Sequence, residues 1–235
     1  MGELPYRNAP LNFKVCNEKL LEDGVTLSNV VYESLPSLYV TASLWLPKNY
    51  QGGEKFPAIL FATGHSPNGR AFDEYVALAR TLAKNGFVVL SLDPPGQHER
   101  RQYLNEDGTA TFGQRPVKEH ISMGFPCSLV GVQLASFFVR DLEKAIDLLE
   151  TLAYVDSSKI GMTGNSGGGT MTSYMALLDE RLAAAITDTK ASVRWLPSSF
   201  ESIVKDKTYE RSDDIDVTGI LKQFDIPLLE RILRK

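Results

Sequence analysis

The chain has 235 residues, 43% of them hydrophobic and 23% charged, the profile of a soluble globular protein of one domain and not of a disordered or fibrous chain. A net charge of −4 excludes the basic footprint that nucleic acid requires and offers no polybasic segment for an anionic membrane. Two cysteines, Cys16 and Cys127, are too few for a disulfide scaffold and read as free structural thiols in reducing surroundings. No apolar run reaches the roughly 18 residues of a membrane span, and Met1 to Pro10 lacks both the charged and the apolar regions of a secretion signal. The chain is therefore expected to be cytoplasmic or already processed.

Two β-rich runs, Val30 to Glu33 and Leu38 to Leu46, are broken by Leu35-Pro36-Ser37 and predict an antiparallel hairpin. The rhythm then changes. Phe56 to Thr63 is a continuous apolar run, Ala71 to Asn85 is amphipathic at helical spacing, and Phe87 to Leu92 is again continuously apolar. Asn85-Gly86 closes the helix, and strands without alternation suit a sheet buried on both faces, so a mostly parallel α/β sheet follows. Residues 93–127 loosen into Pro, Gly and charge and read as a long loop or cap over the functional face. A second amphipathic helix through Leu142, Ala145, Ile146 and Leu149 leads to a strand at Lys159 to Thr163. A Gly-rich turn, a helix from about Gly168 to Leu178 and a strand from Ala183 to Thr187 form a further βαβ unit, expected to cross over right-handed. The tail, 193–235, carries eight basic and eight acidic residues and one amphipathic segment, Ile220 to Leu233. The predicted division is thus a core over 1–192 and a charged helical tail over 193–235, with six strands and no internal repeat.

The turn reads Gly164-Asn165-Ser166-Gly167-Gly168, a G-x-S-x-G match between a strand and a helix. A serine on so sharp a turn is held in a strained backbone conformation, and two positions either side of it only residues with almost no side chain fit. Three fixed positions recur by accident in about one chain in ten of this length, so the flanking strand and helix carry the reading. The other reading is a phosphate cradle at a helix N-terminus.

On these residues the chain resembles the α/β-hydrolase superfamily, and within it bacterial esterases related to acetyl xylan esterases and dienelactone hydrolases. The resemblance is carried by Gly64-His65-Ser66-Pro67-Asn68-Gly69-Arg70, by Asp93-Pro94-Pro95-Gly96-Gln97-His98-Glu99-Arg100, by Lys118-Glu119-His120, and by Gly161 to Thr170 around the elbow. It spans roughly residues 30 to 190. It implies an α/β-hydrolase fold with flanking helices, Ser166 as nucleophile of an acyl-enzyme, and an oxyanion hole from the backbone N–H groups of Gly167 and His65.

In that fold the triad runs Ser, Asp or Glu, then His along the chain. Here the histidines are His65, His98 and His120, all before Ser166. The likeness of Ile220 to Leu233 to the helix before strand seven implies truncation before that strand. The triad acid and base are then expected in sequence not present, about 80 to 100 residues on domain-size grounds. The ring of His65 either acts or shapes its loop. His98, where related sequences usually have Gly, either rims the pocket or faces solvent, and His120 either shapes the acyl or leaving-group pocket or makes structural hydrogen bonds. Asp188, at a strand end, is a remote candidate acid and otherwise a loop carboxylate, while Asp93 reads as the anchor of its turn. Cys127 has no cationic partner in sequence and no elbow, which argues against a thiol nucleophile.

Two functions stay open: a serine esterase on small acyl or acetyl esters, weak or inactive as this chain, and a non-catalytic remnant or small-molecule binding protein. A peptidase is a weaker variant of the first, since no repeats exist to build a gating propeller. The scattered histidines give no metal spacing, and no cofactor is expected. The expected partner is a small-molecule ester, with neither nucleic acid nor membrane. The apolar strand at 183 to 187 leaves an edge that invites self-association.

Overall fold

In the strand Thr26–Leu35 (β2) buried and half-buried residues alternate without a break, whereas in Val88–Leu92 (β5) every residue is buried. The first pattern belongs to a sheet packed on one face and the second to a sheet covered on both. The computed structural model, which describes residues 4–187, joins the two kinds of strand in one sheet. Lys14–Leu20 (β1), β2 and Leu38–Leu46 (β3) run antiparallel, β3 pairs antiparallel with β5, and β5, Phe56–Ala62 (β4), Val155–Gly164 (β6) and Ala184–Thr187 (β7) run parallel. The order across the sheet is β1-β2-β3-β5-β4-β6-β7.

Two features differ from the sequence expectation. The described residues hold seven strands and not six, because β1 precedes the hairpin. All seven of its residues are exposed, so it is held by backbone bonds to β2 and has no hydrophobic period to betray it. The stretch 93–127 is also not a plain loop: it contains a 3-10 turn at His98–Arg100 and most of a helix, Pro116–Leu129 (α2). Pro116 opens that helix at its first turn, but Gly124 and Pro126 inside it hide the period. The charged tail lies outside the described residues.

The helices divide between the faces. Asp73–Lys84 (α1) buries Tyr75, Ala79 and Ala83 against Trp45, Phe61 and Val89 on one face. Leu134–Thr151 (α3) and Gly167–Leu178 (α4) cover the other, with Leu142, Ile146, Leu149, Met171 and Met175 packed on Ala58, Leu60, Leu90 and Met162. β4 therefore leads to a helix on one face and its neighbour β6 to a helix on the opposite face. Between their carboxyl ends the connections diverge, which opens the crevice where open α/β sheets bind ligands. Behind it, Arg100 Nη1 lies 2.5 Å from Asp141 Oδ2 with both side chains buried, tying the long excursion to α3. Both cysteines are free, and Cys16, on β1, is exposed.

Candidate active site

Ser166 stands at the end of β6 with φ 53 and ψ −120, immediately before α4. That backbone region is hostile to a Cβ, and a serine held there points its hydroxyl away from both strand and helix. The neighbouring glycines make it attainable. A Cβ on Gly164 would lie 2.3 Å from the Gly168 carbonyl oxygen, and one on Gly168 would lie 2.0 Å from that of Ala62.

Facing the elbow is the loop after β4. A Cβ on Gly64 would come within 2.6 Å of the Asn165 carbonyl oxygen and 3.1 Å of Ser166 Cβ, so loop and elbow are in direct backbone contact. The loop is tied on both sides of His65. The Ser66 N–H donates to Gln97 Oε1 at 2.7 Å, and the Tyr75 hydroxyl packs against Gly64, where a Cβ would lie 2.8 Å from it. The His65 ring meets His120 of α2, Nε2 to Nδ1 at 3.1 Å, while His120 Nε2 lies 2.7 Å from the Pro95 carbonyl oxygen. His65, His120 and the Gly167 backbone line one small pocket of about 20 Å³ whose apolar wall includes Leu92, Phe138 and Met171. The structure thus gathers Ser166, Gly167, His65 and His120 at the carboxyl ends of β4 and β6.

A family model for acetyl xylan esterases matches residues 5–212. The chain belongs to the acetyl xylan esterase family. Among its curated relatives, an uncharacterized protein of Pseudomonas aeruginosa is 28% identical over 161 residues, 68% of this chain and 36% of that protein. Dipeptidyl-peptidase 5 of Schizosaccharomyces pombe is 26% identical over 180 residues, 73% of this chain and 23% of that protein. The chain therefore spans well under half the length of these two relatives. A solved acetyl xylan esterase from Paenibacillus sp. R4 superposes with a TM-score of 0.56 at 20% identity, covering 95% of this chain and 67% of that one. The fold is that of the α/β hydrolases.

Two residues of this acetyl xylan esterase family member sit away from the pocket. His98 is not among the described residues that line it; its backbone has φ 48, and its Nδ1 lies 3.3 Å from Asp93 Oδ2 and 3.3 Å from Arg70 Nη1. Burial, and next the Arg70 charge, hold the His98 imidazole below its ordinary range. Asp93 is fully buried; it accepts from the Arg70 backbone N–H and the Thr41 hydroxyl, each at 2.8 Å, and from the Arg70 guanidinium. Asp93, His98 and Glu99 stand close enough together to ligate a cation, but Arg70 binds both carboxylates and supplies the positive charge there. Asp188 and any triad acid or base beyond Thr187 lie outside the described residues.

Sequence reasoning missed Gln97 and Tyr75. Tyr75 reads as one more apolar residue on the buried face of α1; the available signal was that a buried tyrosine hydroxyl needs a partner.

Proposed function

We propose that Ser166 is the nucleophile of a carboxylic ester hydrolase acting on acetyl or other short acyl esters. The observation that carries this reading is the left-handed serine at φ 53, placed in the crevice between β4 and β6 and in contact with the loop that bears His65. Ser166 Oγ adds to the ester carbonyl, and the Gly167 and His65 backbone N–H groups receive the oxyanion. The alcohol leaves with a proton, and water hydrolyses the acyl-enzyme. His65 and Gly167 line a small, mostly apolar pocket with Leu92, Phe138 and Met171, which supports a small acyl group.

The proton of Ser166 needs a base. No histidine follows Ser166 in the sequence, His65 and His120 are bonded to each other, and His98 lies against Asp93. Turnover by this chain is accordingly weak. A second reading is a protein that binds a small molecule, without turning it over, in the apolar pocket lined by His65, His120 and Phe138. The test is incubation with p-nitrophenyl acetate and mass analysis of the peptide bearing Ser166. An acetyl adduct on wild type that is absent from Ser166→Ala supports the esterase. Equal labelling of both proteins, or of neither, overturns it, and the second outcome leaves the binding protein.

A further inference from the structure

Tyr75 lies on α1, on the face of the sheet opposite α4, yet its hydroxyl reaches the crevice. It donates to Asn165 Oδ1, one residue before the serine, at 3.3 Å, and packs against Gly64, one residue before His65, where a Cβ would lie 2.8 Å from the hydroxyl oxygen. Its ring is fixed edge-on against Phe61 and Phe72, with centroids 5.3 and 5.2 Å away, so the hydroxyl has little freedom to wander. Burial pushes that hydroxyl above its ordinary range, so it stays a donor throughout the neutral range.

We propose that Tyr75 is a positioning residue that clips the loop after β4 to the nucleophile elbow, fixing the distance between the two halves of the oxyanion hole. One half, the Gly167 N–H, rides on the elbow and α4; the other, the His65 N–H, rides on a loop that leaves the opposite face of the sheet. Nothing in the strand ladder beyond the Ala62 to Gly164 pairing holds them in register. A hydroxyl that bonds the elbow and packs against the loop supplies that constraint. Displacing a donor by about 1 Å can cost on the order of 100-fold in rate.

This role rests on the esterase reading, and the test separates the two. Tyr75→Phe keeps the ring contacts and removes only the hydroxyl. Amide hydrogen exchange on the full chain is expected to accelerate about tenfold or more at Gly64 and Gly168, with the amide of Asn85, which caps the C-terminus of α1, unchanged. The rate of Ser166 acetylation at saturating p-nitrophenyl acetate is expected to fall about 10- to 100-fold, with the half-saturating concentration nearly unchanged. Unchanged exchange at both glycines overturns the clip. Faster exchange with an undiminished acetylation rate overturns its role in the reaction. If wild type and Ser166→Ala label alike, the esterase reading fails, and the clip stands or falls on exchange alone.

Discussion

His65 Nε2 and His120 Nδ1 stand 3.1 Å apart, and the bond has a direction. The Pro95 carbonyl oxygen can only accept, so His120 Nε2, 2.7 Å from it, carries the proton, Nδ1 is the acceptor, and His65 donates through Nε2–H. Long-range nitrogen–proton NMR at neutral pH should show both rings as Nε2–H tautomers. An Nδ1–H signal from either ring would break the chain of bonds as described.

Gly168→Ala should prevent normal folding. Its Cβ would lie 2.0 Å from the Ala62 carbonyl oxygen, backbone against backbone, and overpacking that no side-chain rotation relieves costs about 3 kcal/mol or more. Gly53→Ala, with nothing within 4 Å and only φ 90 against it, should cost about 1 kcal/mol. Thermal unfolding of the pair decides; similar losses would mean that the elbow is looser than its geometry.

Asp141→Ala should destabilise the protein by about 3 to 5 kcal/mol, because it strands the buried Arg100 guanidinium that lies 2.5 Å from Asp141 Oδ2. The double change Arg100→Met with Asp141→Leu should recover much of that loss, since the stranded charge and not the missing bond dominates it. Urea unfolding checks both, and a double variant as weak as the single one would refute the attribution.

His98 titrates below its ordinary value of 6.5 in the folded chain, through burial and the Arg70 charge. The unfolded chain therefore takes up a proton at higher pH than the native one. The stability this histidine contributes is complete above about 6.5 and is lost as pH falls below it. Asn tolerates the positive φ of 48 at this position, so His98→Asn should flatten the decline of stability below pH 6.5. Parallel stability curves for wild type and variant would remove His98 as a source of the acid sensitivity.

Among the described residues β7 pairs on one side only, with β6, and Ile186 is 71% exposed. Such an edge favours pairing with a second chain. Light scattering should show concentration-dependent association that Ile186→Lys weakens; a wild-type monomer at all concentrations would count against it.

The parallel half of the sheet was legible because Phe56 to Thr63 and Phe87 to Leu92 are apolar on both faces, a pattern that few other structures need. The elbow was legible because Gly164 and Gly168 answer a steric demand that leaves no other residue. β1 was not, since an edge strand held by backbone bonds and exposed along its whole length needs no hydrophobic period. The same holds for the Arg70, Asp93 and His98 cluster and for Tyr75 with Asn165. Each joins residues distant in sequence, and local pattern reports what a side chain buries without saying where its polar end goes.

Ser166 also weighs on the stability of the chain. A non-glycine residue at φ 53 and ψ −120 carries a conformational penalty of about 1 to 3 kcal/mol, and glycine would occupy that position with less strain. The fold gives up that much stability to hold a serine, and not a glycine, at the turn between β6 and α4.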